Sequence, residues 1–176
     1  LTIKDWGKTA MGSKKPAPAV RYLYERGFIS PGDSVFDFGA GYGRNAQWLR
    51  TKGVEVYAFD PYNGTSARNG WKWEGVSHTM PQSGTKFDVV FSCFVLNILN
   101  APDELAALES CSKFYPAVQY HIVRNDLDKG VGQRLALRDK RTEDWYNSYL
   151  DATGKSPVDN SRANILDPRQ LREFCD

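Results

Sequence analysis

Three glycines at alternate positions, Gly39, Gly41 and Gly43, follow a short β-prone run and precede a helical pattern. Because glycine has no Cβ, such a turn can adopt positive φ angles and let a ligand approach the main chain closely. The unpaired N–H groups of the first helical turn then favour an anionic or acceptor-rich ligand. The feature predicts a strand, a tight turn and a helix with a ligand site at the turn.

A second β-prone run, residues 54–59, ends at Asp60, which lies 21 positions after Gly39. In a βαβ unit, an acid at the tip of the second strand is placed to accept hydrogen bonds from a ribose diol. The two features together predict a cofactor that contains a nucleoside.

Two cofactor classes share these features, and a turn without a ligand is the third interpretation. The dinucleotide fingerprint is G-x-G-x-x-G, whose third glycine allows close packing of helix on strand. Here Arg44 stands in that position, and an acid, Asp37, precedes Gly39 by two residues. The pattern Asp37-x-Gly39-x-Gly41-x-Gly43 resembles motif I of class I S-adenosyl-L-methionine (SAM)-dependent methyltransferases. SAM has no pyrophosphate, so its turn needs room for an amino-acid moiety instead.

Size and composition limit the alternatives. The 176 residues suffice for one α/β domain, and we expect a basic arm over residues 1–15 and a single domain over residues 16–176. The formal charge of +2 neither demands nor excludes a nucleic-acid partner, because such binding needs only a local basic patch. No run approaches the ~20 apolar residues of a membrane span. Three cysteines without a C-x-x-C pair and two distant histidines predict neither disulfides nor a metal site, which favours the cytoplasm.

Helical and β-prone patterns alternate along the chain. Helices are expected after Pro16 and Pro18, over residues 44–51 and over residues 104–111; strands are expected over residues 34–38, 54–59, 87–92 and 117–123. This alternation predicts an α/β fold with a Rossmann-like, mostly parallel sheet and helices on both faces. The ligand is expected beyond the carboxyl ends of the first two strands.

Two parts of the chain are harder to interpret. A short third strand is expected within residues 71–80, after an irregular crossover. After Val123, we expect a charged loop over residues 126–134, a helix from Thr142, a polar loop through Asn164 and a final helix from Asp167. The usual closing pair of strands is not evident there, so either the fold is abbreviated at its C-terminal end or a partner completes the sheet.

Residues 87–99 resemble motif IV of small class I methyltransferases, which place the end of this strand beside the transferring methyl group. The resemblance implies that Ser92, Cys93 and Phe94 border the methyl group and the acceptor, and that Asn97 begins the next helix.

A narrower resemblance covers roughly residues 7–125. Residues 7–10, 14–16, 32–39, 59–62 and 95–98 are similar to methyltransferases associated with bacterial DNA phosphorothioation systems, which implies a DNA-modification context. The chain departs from other DNA methyltransferases, since it has neither the Asp-Pro-Pro-Tyr or Asn-Pro-Pro-Tyr motif of amino-methylating enzymes nor a Pro-Cys pair.

The methyltransferase resemblance implies a SAM-binding set. In it the glycine-rich turn approaches the cofactor, and Asp37 orients the methionine amino group through a water molecule. Asp60 accepts from the ribose, and the residues after Asp60 and near position 80 border the adenine. The implied set is Asp37, Gly39, Ala40, Gly41, Gly43, Asp60, Pro61, Tyr62, Met80, Ser92, Cys93 and Phe94.

No catalytic residue is assigned; the candidates are Cys93, Asn97 and His121. An imidazole titrates near neutrality, which makes His121 the obvious general base. Its place inside a predicted strand favours instead a core histidine that is hydrogen-bonded to a neighbour. Cys93 is expected to be a small buried residue rather than a nucleophile.

Three functions remain open. The first is a SAM-dependent methyltransferase that acts on a nucleic acid or a nucleotide. The second is a methyltransferase for a small metabolite. The third is a non-catalytic SAM-binding subunit of a modification complex.

Overall fold

The computed structural model of the chain describes residues 14–65, 70, 72–99, 101–122 and 163–166. Along the chain, the described elements are helix α1 (Pro18–Glu25), strand β1 (Ser34–Phe38), helix α2 (Arg44–Thr51), strand β2 (Glu55–Phe59), strand β3 (Val89–Cys93), a 3-10 turn (Leu96–Ile98), helix α3 (Ala101–Ser112), strand β4 (Val118–Ile122) and strand β5 (Ala163–Leu166).

The five strands form one parallel sheet in the order β2-β1-β3-β4-β5. The chain leaves β1 in one direction to reach β2 and later returns to the other side of β1 as β3. The loops that follow β1 and β3 therefore diverge, and in open α/β sheets ligands bind in the crevice at this switch point. The predicted Rossmann-like class I methyltransferase fold is confirmed.

The two faces of the sheet are covered by different helices. On one face, Val35 and Phe91 belong to a cluster that includes buried residues of α1 and α2. On the other face, Phe36 and Val90 pack with Cys111 of α3. Alternate residues of a strand share a face, so Asp37 lies on the face of Val35, the one that α1 and α2 cover. The helix bounds follow the predicted ones closely.

The predicted third strand is reduced to a single bridge between Phe59 and Ser77. The N–H of Ser77 donates to the carbonyl of Ala58 (2.8 Å), and the N–H of Asp60 donates to the carbonyl of Ser77 (2.9 Å). The predicted position within residues 71–80 is confirmed, but the pairing is one residue long instead of a strand. In the described part of the crossover, residues 72–76 are irregular with a turn at residues 74 and 75, and the side chains of Asn63 and Arg50 bind their main chain.

Beyond β4, the structure describes only β5, which pairs in parallel with β4. The prediction of a loop through Asn164 is wrong at this point, since Asn164 lies within β5. The predicted loop at residues 126–134, the helices from Thr142 and Asp167, and residues 1–13 of the arm lie outside the described residues. In the part of the chain that the structure describes, no helix is long and apolar enough to cross a membrane.

Candidate functional site

The glycine-rich turn leaves β1 through three left-handed residues: Gly39, Gly41 and Gly43 have φ angles of 79°, 59° and 77°. The N–H groups of Gly39 and Ala40 both donate to the carbonyl of Phe59, at 2.8 Å each. The N–H of Gly43 donates to the carbonyl of Ala40 at 2.9 Å. The turn is thus fixed to the end of β2, which is why it directs the start of α2 back over the sheet.

Two of these glycines are also needed because other parts of the protein pack against them. A Cβ on Gly39 would overlap the Cγ2 of Val95, and one on Gly43 would lie 2.9 Å from the Cγ2 of Val76. The sequence pattern predicts that a ligand approaches the main chain of these glycines closely. In the structure, Val95 and Val76 approach it closely as well. The contact with Val95 joins the glycine-rich turn to the segment that follows β3.

Asp60 fastens the same turn from the tip of β2 and is only 4% exposed. Its Oδ2 accepts from the N–H of Gly41 and its Oδ1 accepts from the N–H of Tyr62, both at 2.9 Å. A carboxylate oxygen can accept a second hydrogen bond, so the geometry is compatible with a ribose hydroxyl as a further donor. Asp60 therefore has a structural role in the turn, and its role towards a ribose stays a prediction.

Asp37 differs from Asp60 in its surroundings. It is 1% exposed, and neither of its carboxylate oxygens has a hydrogen-bond partner within the described residues. Burial, reinforced by the charge of Asp60, raises its pKa to about 8, against the opposing effect of Arg50 and Arg44. A buried carboxyl group without a partner is rare, and such groups cluster at binding and catalytic sites. An ammonium group bound here would supply both the missing donors and the missing positive charge.

The end of β3 borders this turn through Val95. Cys93 is half-buried, and Phe94 has a φ angle of 61°, the left-handed conformation that costs a residue with a Cβ roughly 1–2 kcal/mol. The N–H of Phe94 donates to the carbonyl of Ile122 at 2.8 Å, which holds the turn in place. Backbone strain of this kind concentrates at functional sites.

His121 lies in the core of the sheet, with a hydrogen-bond partner on each ring nitrogen. It is fully buried, its Nδ1 lies 2.8 Å from the Oγ of Ser92, and its Nε2 lies 2.9 Å from the Oε1 of Gln119. Because an amide oxygen only accepts, Nε2 carries the proton and Nδ1 accepts from Ser92. Gln119 in turn donates to the Oγ of Ser112 at 3.3 Å. Burial lowers the pKa of His121 to about 4. The expectation of a hydrogen-bonded core histidine is confirmed.

The remaining predicted residues are more dispersed. Pro61 is exposed, and Tyr62 is half-buried in the turn after β2. Met80 is half-buried against the aromatic cluster on the α3 face. Asn97 does not begin a helix of the regular kind: it lies in the 3-10 turn, and α3 begins at Ala101.

Two residues that support the site were missed by the sequence analysis. The guanidinium of Arg50 donates to the carbonyls of Val56 (2.8 Å) and Gly75 (2.9 Å). The Oδ1 of Asn63 accepts from the N–H of Trp73 at 2.7 Å. These bonds join positions 6 to 25 residues apart along the chain, so no local pattern signals them.

The described residues also bear on metal binding. Among them, no group of three or more His, Cys, Asp or Glu side chains lies close enough together to hold a metal ion.

Comparison with known proteins assigns the family. A family model described as a methyltransferase domain matches residues 12–163. The chain belongs to this methyltransferase-domain family.

Solved structures similar to this methyltransferase domain include a chain of the complex between the Trm112 methyltransferase activator of Haloferax volcanii and the protein assigned as its methyltransferase. That likeness has 16% identity and a TM-score of 0.45, and covers 81% of this chain and 75% of the other. A second is a protein assigned as a sarcosine dimethylglycine methyltransferase from Galdieria sulphuraria, with 17% identity, a TM-score of 0.40, and coverage of 69% and 52%. No curated protein matches the chain.

Proposed function

We propose that this chain is a SAM-dependent methyltransferase whose acceptor is a nucleic acid or a nucleotide. The family supports methyl transfer. The observation that best supports SAM as the cofactor is the buried Asp37 carboxyl group. It stands at the end of β1 and has no hydrogen-bond partner within the described residues. The α-amino group of SAM is a ligand group that matches it in charge and in hydrogen-bonding capacity.

The chain's own residues divide the work of holding the cofactor. Asp37 accepts from the α-amino group, Asp60 accepts from the ribose while it fixes the glycine-rich turn, and the first turn of α2 presents main-chain N–H groups. Pro61, Tyr62 and Met80 are proposed to border the adenine. Bound SAM supplies a methyl group that is activated by its sulfonium charge.

The reaction depends mainly on positioning, because methyl transfer is an in-line displacement in which a general base is optional. We assign Cys93 and Phe94 to the acceptor side, since they lie at the carboxyl end of β3 next to the glycine-rich turn. Ser92 supports them from the interior, where its hydroxyl donates to His121. Asn97 lies in the 3-10 turn that follows Phe94 along the chain and stays a candidate residue of this segment.

A basic surface next to the turn supports a nucleic-acid or nucleotide acceptor. Lys14 and Lys15 are both exposed. The segment that carries them is held against α2, because the N–H of Ala17 donates to the Oδ1 of Asn45 (2.8 Å) and Arg44 donates to the carbonyl of Lys15 (3.4 Å). Cations placed there can pair with phosphates, which agrees with a DNA-modification context.

Isothermal titration calorimetry with SAM, its demethylated product S-adenosylhomocysteine and NAD tests the cofactor. We expect the first two to bind and NAD not to bind. Asp37→Asn is expected to weaken SAM binding by about 10- to 100-fold, because a charge-assisted hydrogen bond is lost. Glu25→Gln, on the exposed face of α1, is the matched control. Binding of NAD alone, or equal affinity in all three proteins, contradicts the assignment.

Transfer of a labelled methyl group from SAM to DNA, RNA, nucleotides and a metabolite extract tests the acceptor. We expect label in a nucleic-acid or nucleotide fraction, and DNA binding that weakens with salt. Lys14→Gln with Lys15→Gln should reduce the slope of log affinity against log salt by about 1–2. Lys86→Gln, at the opposite end of the sheet, should leave it unchanged. Label only in metabolites supports the small-molecule alternative, and tight SAM binding without transfer supports a non-catalytic subunit.

A further inference from the structure

Three large apolar side chains are exposed in the described part of the chain, and one of them lies at the candidate site. Phe28 and Tyr115 precede β1 and β4. Tyr42 is 38% exposed and follows β1, so it stands at the carboxyl edge of the sheet, where open α/β sheets bind ligands. Tyr42 is thus the exposed aromatic residue that the fold places beside the site.

Tyr42 pairs with Trp73, which the crossover after β2 brings back to the glycine-rich turn. The two ring centroids are 4.0 Å apart, and the ring planes make an angle of 53°. Trp73 is half-buried and packs against the core cluster that includes buried residues of α1 and α2. The pair therefore has one side against the core and an outer side on which the ring of Tyr42 is accessible.

Hydrogen bonds to its main chain fix the position of Trp73. The buried Asn63 accepts from the N–H of Trp73 through Oδ1 (2.7 Å) and donates to its carbonyl through Nδ2 (3.3 Å). Three residues further on, Val76 packs against Gly43. The crossover and the turn thus meet at Gly43 as well as at the ring pair. A flat ligand that stacks on such a rigid surface orders few side chains, which lowers the entropic cost of binding.

The charges next to the pair favour an anionic ligand that carries an aromatic group. Arg44 follows the turn, and its guanidinium donates to the carbonyl of Lys15 (3.4 Å). This contact brings the segment with the exposed Lys14 and Lys15 next to the start of α2. The residues before and after Trp73 carry opposite charges, so they add no net charge. Aromatic rings beside cations are the combination with which proteins bind single-stranded nucleic acids, by stacking on bases and pairing with phosphates.

We propose that Tyr42, supported by Trp73, stacks on an unpaired base of a single-stranded nucleic acid. This inference rests on the proposed function and narrows its acceptor to a single strand. In a duplex both faces of a base are covered by its neighbours, so an unpaired base is the form that can stack on a side chain. Stacking accepts any base, so the surface holds the strand without choosing its sequence.

The test separates the contribution of the base from that of the phosphates. Fluorescence anisotropy measures the affinity for an oligothymidylate of about 12 nucleotides, for a strand of equal length with abasic sites, for the matching oligouridylate and for the duplex with oligoadenylate. The proteins are the full chain, Tyr42→Ala, Tyr42→Phe, which keeps the ring, and the control Tyr115→Ala, which removes an exposed ring before β4. Circular dichroism and thermal unfolding establish that each variant is folded, and calorimetry measures its affinity for SAM.

We expect the full chain to bind the two single strands more tightly than the abasic strand. Tyr42→Ala should weaken binding of both by about 5- to 100-fold, the effect of one stacked base, and should leave the abasic strand and the duplex unchanged. Tyr42→Phe should retain the affinity because the ring remains, and Tyr115→Ala should match the full chain. The affinity for SAM should not change in the variants. A loss with only one of the two strands would support the stacking role and assign it to DNA or to RNA.

Three contrary results are distinguishable. If Tyr42→Ala weakens the abasic strand and the duplex as much as the single strands, or weakens none of them, the stacking role is overturned and the proposed function stands. If Tyr42→Ala weakens SAM binding alone, Tyr42 belongs to the cofactor site and the stacking role is again overturned. If the full chain binds no nucleic acid, the proposed acceptor fails, and the role of Tyr42 fails with it.

Discussion

Asp37 and His121 are both almost completely buried polar side chains of one parallel sheet, and they differ in their partners. Both ring nitrogens of His121 are hydrogen-bonded, to Ser92 and to Gln119, and the chain of bonds continues to α3. Asp37 has no hydrogen-bond partner within the described residues. A satisfied buried group stabilises the fold, whereas an unsatisfied one costs stability and indicates a ligand. The more familiar candidate for chemistry, the histidine, is thus the structural one.

The largest expected effect is the pH dependence caused by Asp37. Its pKa is raised from 3.8 to about 8, so the native state keeps a proton that the unfolded chain releases. The contribution of Asp37 to stability is therefore fully present below about pH 4 and is lost as the pH rises to 8, by a few kcal/mol in order of magnitude. His121, whose pKa is lowered to about 4, opposes it below pH 6.5, so the net stability is expected to fall between pH 6.5 and pH 8. Asp37→Asn should remove this fall. Urea unfolding from pH 5 to pH 8 measures it, and parallel curves for the two proteins would contradict it.

Gly39, which follows β1, packs against Val95, which follows β3. A steric overlap between these two residues should have the next largest effect. Gly39→Ala introduces a Cβ that overlaps Val95 at a φ angle of 79° and should destabilise the protein by about 2–4 kcal/mol. Gly84 has a φ angle of 87° and no atom within 4 Å of a built Cβ, so Gly84→Ala should cost only about 1 kcal/mol. Denaturant unfolding compares them; equal losses would show that the Val95 contact is unimportant.

Replacing His121 separates an effect on stability from an effect on SAM binding. His121→Leu removes one hydrogen bond from Ser92 and one from Gln119 in the interior and should cost about 2–3 kcal/mol, while the affinity for SAM changes little. Asp37→Asn should show the reverse, with loss of affinity and no loss of stability at pH 8. Thermal unfolding and calorimetry on both variants measure the two effects. A large loss of SAM affinity in folded His121→Leu would place His121 in the binding site.

His121 also gives a smaller pH effect of opposite sign. Its pKa is lowered from 6.5 to about 4, so the unfolded chain binds the extra proton first and stability falls as the pH drops through that range. Asp37 acts against this effect over the same pH range, so the Asp37→Asn background isolates it. There, stability should decline from pH 6.5 to pH 4, and adding His121→Leu should abolish the decline. A decline that survives in the double variant would assign it to another group.

Local sequence patterns predicted most of the described helices and strands, but they did not predict the burial and the hydrogen bonding of the side chains in the candidate site. The glycine-rich turn, β1 and α2 could be placed to within a residue, because their signals lie within ten positions of one another. The third strand was overestimated because its outcome depends on Arg50 and Asn63, which bind the crossover from a distance. The sequence marked Asp37 as a motif residue but did not reveal that it lacks partners, since burial and pairing are properties of the assembled sheet.

The central claim is that Asp37 receives the amino group of the cofactor, and proton release on binding tests it most directly. Near pH 7 the carboxyl group, with a pKa of about 8, is mostly protonated in the free protein, and an ammonium group must displace that proton. Calorimetric titration of S-adenosylhomocysteine in buffers of different ionisation enthalpy counts the protons. The account predicts release of about one proton by the full chain and none by Asp37→Asn. The same count in both proteins, or binding with no proton release by either, would contradict it.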